Sequence, residues 1–145
     1  MTFTFAKKAA AAALLTVAVS GPAFAGCNTA YTETYGAGNA IGLLQSGFCN
    51  STTVLQDGFG NTTIASTDGN FNTTAVGQSG WWNEAHTSQM GSGNATGIAQ
   101  MGSNNHADVE TWGNNNATGV IQVGHGNSAD SQSYGDGNVV LIIQN

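Results

Sequence analysis

Residues 78–100 decide the fold. They read Gln78-Ser79-Gly80-Trp81-Trp82-Asn83-Glu84-Ala85-His86-Thr87-Ser88, then Gln89-Met90-Gly91-Ser92-Gly93-Asn94-Ala95-Thr96-Gly97-Ile98-Ala99, then Gln100. Set one above the other, the two eleven-residue segments share Gln at the first position, Gly at the third and Asn at the sixth. The same spacing runs outward in both directions. Gly recurs at Gly36, Gly47, Gly58, Gly69, Gly80, Gly91, Gly102, Gly113, Gly124 and Gly135. Asn recurs at Asn28, Asn39, Asn50, Asn61, Asn72, Asn83, Asn94, Asn105, Asn116, Asn127 and Asn138. Two residues before each Gly stands Thr34, Gln45, Gln56, Thr67, Gln78, Gln89, Gln100, Thr111, Gln122 or Ser133, and Gln144 continues that column. Self-similarity at a fixed period marks a repeat architecture and is read before local propensity.

A Gly in every unit and alternating apolar spacing argue against a helix and for a strand with a turn. The strands are expected to run from each Asn to the next residue of the Gln column: 28–34, 39–45, 50–56 and onward to 138–144. Four-residue turns such as Ser46-Gly47-Phe48-Cys49 would join them. Two strands make one rung of 22 residues. The fold class is all-β: a β-solenoid of two stacked parallel sheets, cross-β in character. Alternation points the Asn, the residues two and four later, and the Gln-column residue toward the seam. The middle positions form two sets of period 22. One holds Ala30/Thr32, Thr52/Val54, Thr74/Val76, Thr96/Ile98, Thr118/Val120 and Val140/Ile142. The other holds Ile41/Leu43, Thr63/Ala65, Ala85/Thr87, Ala107/Val109 and Ala129/Ser131. Stacked Asn and Gln are expected to form side-chain amide ladders.

The first 25 residues read differently. Lys7 and Lys8 precede the apolar stretch Ala9–Val19, and Ala23-Phe24-Ala25 has the form of a cleavage site. This is a secretory signal peptide, with residues 26–145 as the repeat domain. Acylation of Cys27 as a lipoprotein is the alternative. The signal holds both Lys and the single Pro, and the chain has no Arg. All eight acids lie beyond it, so residues 26–145 carry net −8 with neutral His. Such a surface repels nucleic acid. No segment beyond the signal has the length of apolar sequence that a membrane span needs.

The unit Q-x-G-x-x-N-x-A-x3-Q, as in Gln78-Ser79-Gly80, Asn83, Ala85 and Gln89, resembles the curlin repeat of curli fibre subunits in bacterial biofilms. Departures are Thr or Ser at 34, 67, 111 and 133. The resemblance implies a monomer exported unfolded through an outer-membrane secretion pore and assembled at the cell surface, with a nucleator subunit as partner. The regular repeats look more like a major subunit than a nucleator.

Residues 138–144 are uncharged and strongly β-forming, so their edge is expected to template residues 28–34 of another copy, with Val140 and Ile142 as assembly residues. The expected function is a structural fibre subunit serving biofilm matrix and adhesion. A nucleator and a monomeric secreted binding module are the alternatives. Cys27 and Cys49 lie one rung apart and are expected to form a disulfide; free or intermolecular thiols are the alternative. The stacked sets Glu84/His106 and His86/Asp108/Asp130 read as a solvated face, not a metal site. No catalytic constellation and no cofactor site is expected.

Overall fold

The computed structural model describes residues 16–18 and 27–145. Apart from residues 16–18, the signal peptide expected over residues 1–25, with its cleavage after Ala25, lies outside the described residues. The chain is a β-solenoid of about five turns. Its strands are β1 (Thr16–Ala18), β2 (Thr29–Ala37), β3 (Ala40–Phe48), β4 (Ser51–Phe59), β5 (Thr62–Asn70) and β6 (Thr73–Trp81). They continue as β7 (Glu84–Ser92), β8 (Ala95–Ser103), β9 (His106–Asn114), β10 (Ala117–His125), β11 (Ser128–Tyr134) and β12 (Val139–Gln144). Odd strands form sheet A in the order β1-β3-β5-β7-β9-β11, and even strands form sheet B from β2 to β12. Every pairing is parallel, and between repeat strands each residue pairs with the one 22 positions on, as Thr74 with Thr96 and Ala85 with Ala107. Among the described residues no helix is long and apolar enough to cross a membrane.

Strands β2 to β10 are nine residues long, beyond the expected seven, while β11 has seven and β12 six. β6 runs from Thr73 to Trp81, nine residues, and passes straight through Gly80. Gly80 has φ +114°, yet it stays in register with Gly58 below and Gly102 above. Pairing thus survives the bend, and the breaks from β2 to β11 shrink to two residues such as Trp82-Asn83, while residues 135–138 separate β11 from β12. The glycine is required by proximity as well as by φ: a Cβ on Gly91 would lie 1.9 Å from the carbonyl oxygen of Gly113. A second left-handed position sits just before each Asn. It is glycine in some repeats, but Phe71 and Trp82 both hold φ +57° there.

The seam is thin. Sheet B contributes Val54, Val76, Ile98 and Val120; sheet A opposes them with Ile41, Ala65, Ala85, Ala107, Val109 and Ala129, all buried. Fully burying one Val contributes about 1.5–3 kcal/mol, so a core of this size relies on polar pairing as well. Among the described residues, the buried core side chains lie within residues 27–145.

Candidate functional site

The polar columns are the chemistry of this fold, and their geometry is directional. At Asn94 the backbone N–H donates to Asn72 Oδ1 below (2.9 Å). Its Nδ2 donates to the Gly113 carbonyl above (2.8 Å), and its Oδ1 accepts from the Asn116 backbone N–H (3.0 Å). Asn94 is 1 % exposed, so these bonds are sheltered from water. The same pattern links Asn50 to Asn28 and Asn72, Asn61 to Asn39 and Asn83, Asn105 to Asn83 and Asn127, and Asn138 to Asn116. Each Asn therefore donates its backbone N–H to the preceding rung and presents the acceptor Oδ1 and the donor Nδ2 toward the next. Replacing Asn94 by Ala would strand the Gly113 carbonyl and the Asn116 N–H in the seam. Leaving a buried group unpartnered costs about 1–3 kcal/mol, so Asn94→Ala is expected to destabilise the fold by about 3 kcal/mol, read by denaturant unfolding.

The Gln column divides by sheet. In sheet B the Nε2 of Gln56, Gln78, Gln100 and Gln122 each donates to the Oε1 of the Gln one rung on, ending at Gln144, over 2.8–2.9 Å. Each of these Nε2 groups also reaches a sheet A carbonyl, as Gln100 to Glu84 at 2.8 Å, tying the sheets together. In sheet A the column alternates as Gln45, Thr67, Gln89, Thr111 and Ser133, so no continuous amide ladder forms there. Gln89 instead bonds across the seam, donating to Thr96 Oγ1 (2.6 Å) and accepting from Thr74 Oγ1 (2.9 Å). Gln45 donates to Thr52 Oγ1 in the same way (2.7 Å).

The sheet B ladder stops at its first rung. Gln56 Oε1 and the Thr34 Oγ1 below it are both buried without a partner. A Gln at 34 would supply the missing donor. Thr34→Gln is expected to stabilise the first rung by about 1 kcal/mol, seen as slower amide exchange in β2 and β4.

Cys27 and Cys49 are joined by a disulfide with Cα atoms 4.5 Å apart, fastening the first rung to the second. On the outer face of sheet A, His86 Nδ1 lies 3.2 Å from Asp108 and His106 Nδ1 3.4 Å from Glu84, all substantially exposed. Among the described residues no three His, Cys, Asp or Glu side chains are grouped as metal ligands. The Glu33 carboxylate beside Tyr31 and Tyr35 raises both phenols above the ordinary tyrosine range, first by hydrogen bonding and then by charge; Tyr134 is raised chiefly by its hydrogen bond to Glu110, then by desolvation. The outer face of sheet B is apolar, with Leu55, Ile121, Leu141 and Ile143 exposed around a floor of Gly77, Gly97 and Gly119.

The family model for the Curlin associated repeat matches residues 83–110. That stretch spans Asn83, Gln89, Gly91, Asn94, Gln100, Gly102 and Asn105 in the geometry just described. Residues 83–110 carry the curlin repeat. The same columns continue in the 22-residue register on both sides of the matched stretch. No curated protein matches the chain.

The pre-Asn column was not apparent in the sequence. Its members, among them Cys27, Cys49, Phe71, Trp82, Asn104 and Asn115, share a left-handed backbone and no side-chain chemistry. The recurrence of Gly at 38, 60, 93, 126 and 137 was the available signal.

Proposed function

We propose that this curlin-repeat chain is the structural subunit of an extracellular, curli-type amyloid fibre that serves biofilm matrix and adhesion. It elongates end to end by β-strand addition and has no catalytic role. One observation carries the reading. Both ends of the stack expose what the interior rungs satisfy with one another. At the far end the seam residues Val140 and Ile142 of β12 are only half-buried, where their interior counterparts Thr118 and Val120 are buried, and the Asn138 Nδ2 reaches only Tyr134 of its own chain. At the near end the buried Thr34 hydroxyl lacks a partner. A parallel stack whose two ends are complementary forms an open filament and not a closed ring. Residues 28–34 and 138–144 belong to the two assembling ends, with Val140 and Ile142 seated in the junction. Asn and Gln columns continue the ladders from copy to copy. Export through an outer-membrane pore and initiation by a nucleator subunit fit this reading.

The test is to dilute residues 26–145 from denaturant and follow amyloid-dye fluorescence and fibre diffraction. Growth of fibres with a meridional spacing of about 4.8 Å is expected. Lasting monomers would favour the monomeric binding module instead.

A further inference from the structure

Among the described residues of 27–145 the repeat strands are odd in number: β3, β5, β7, β9 and β11 in sheet A, and β2, β4, β6, β8, β10 and β12 in sheet B. Taken as the assembling unit, they cannot be stacked by simple translation without leaving a strand out of sheet A at every junction. Placing β2 of a new copy on β12 would leave β11 and the new β3 two strand spacings apart. Building on the end-to-end reading, we infer that each copy is turned by about half a turn about the stacking axis relative to the last, so that its β2 seats on β11 and its β3 on β12. This differs from the pairing of 28–34 with 138–144 expected from sequence.

The side chains of the four edge strands match this arrangement. In the seam, Ala129 and Ser131 of β11 would lie under Ala30 and Thr32, small under small. Val140 and Ile142 of β12 would lie under Ile41 and Leu43, large under large. Translation instead puts Val140 and Ile142 under Ala30 and Thr32. The polar columns agree. Gln144 would sit under Gln45 and extend the amide ladder that runs from Gln56, whereas translation ends it at Thr34. Ser133 Oγ and Thr34 Oγ1, both buried and unpartnered in the single chain, would meet each other. On the outer faces, Leu141 and Ile143 would meet Gly42 and Leu44, not Tyr31 and Glu33. The edge of β3 accepts a strand in this register: Thr16, Val17 and Ala18 of β1 pair in parallel with Ile41, Gly42 and Leu43. Those are the places Val140, Leu141 and Ile142 of the preceding copy would take, so an N-terminal segment left in place competes with fibre growth. The filament then presents apolar sheet B and acidic sheet A in alternation along each side.

Helical reconstruction of fibres grown from residues 26–145 tests this on the unaltered sequence. A half turn with a rise of about 26 Å per copy is expected, at about 4.8 Å per strand. A rise of about 29 Å without the half turn would overturn it. A second measurement uses positions on the outer faces, with the Cys27–Cys49 disulfide kept oxidised. Fibres of mixed Leu44→Cys and Ile143→Cys chains are expected to cross-link into disulfide dimers, and Glu33→Cys mixed with Ile143→Cys to remain monomeric on a non-reducing gel. The reverse result overturns the half turn while leaving end-to-end assembly standing. Absence of fibres from the unaltered sequence would sink both.

Discussion

Fibres seeded in a solution of the Val140→Lys, Ile142→Lys chain are expected to elongate at least about 100-fold more slowly than the unaltered chain. Both side chains point toward the seam at the end of the stack, and Ile142 packs on the edge of the core. In the single chain they are only partly covered, so a lysine there can bend its ammonium into water at small cost. The chain should therefore still fold: β12 keeps its six-residue register with β10, from Ala117–Val139 to Gln122–Gln144. An incoming copy closes that escape. Two unpaired ammonium groups then lie against apolar side chains, and a penalty of about 3 kcal/mol corresponds to the stated factor. Dye-monitored elongation on preformed seeds measures it. Unchanged growth would place the junction elsewhere.

The Gly91→Ala chain is expected to lose at least about 4 kcal/mol of stability and to fail to reach the folded stack. The added Cβ would stand 1.9 Å from the Gly113 carbonyl oxygen, and Gly91 holds φ +119°, where an L side chain is strained. Neither neighbour can give way, because the contact is backbone on backbone held by pairing on both sides. Gly135 makes an informative contrast. Its φ is +103°, but in the single chain a Cβ there meets only Asn138 Nδ2, at 3.5 Å. Gly135→Ala should cost the single chain only the conformational strain, about 1–3 kcal/mol. In the half-turned filament Gly36 of the next copy covers that position, so the same substitution should block elongation. Denaturant unfolding and seeded growth separate the two effects. Equal stability losses at Gly91 and Gly135 would contradict the stacking.

Much of this architecture can be read in the sequence because the repeat constrains it eleven residues at a time. The Gly and Asn columns report two features that tolerate no substitute: a backbone approach too close for a Cβ at Gly91 and Gly69, and an amide with both donor and acceptor at Asn94. The seam positions are equally legible, since alternation places Val54, Val76 and Ile98 inward. What was hidden depends on backbone shape more than on residue type. Strands were expected to stop at the Gln column, but pairing continues through the bend, which no side chain announces. The left-handed site before each Asn is filled by Cys27, Phe71, Trp82 or Asn104, so composition gave no column there. The division of the Gln ladder between sheets was present in the alternation of Gln45, Thr67, Gln89 and Thr111, and its meaning emerges only once odd and even strands are assigned to different sheets.

The central claim is that residues 22 apart stand directly above one another in the assembled fibre. Thr62, Glu84 and His106 form one such column on the outer face of sheet A. Fibres carrying nitroxide labels at Thr62→Cys, Glu84→Cys and His106→Cys together, with Cys27–Cys49 oxidised, test it by electron paramagnetic resonance. Neighbouring labels about 5 Å apart along the stack should collapse into a single exchange-narrowed line. Three resolved hyperfine lines, the mark of isolated labels, would contradict the account.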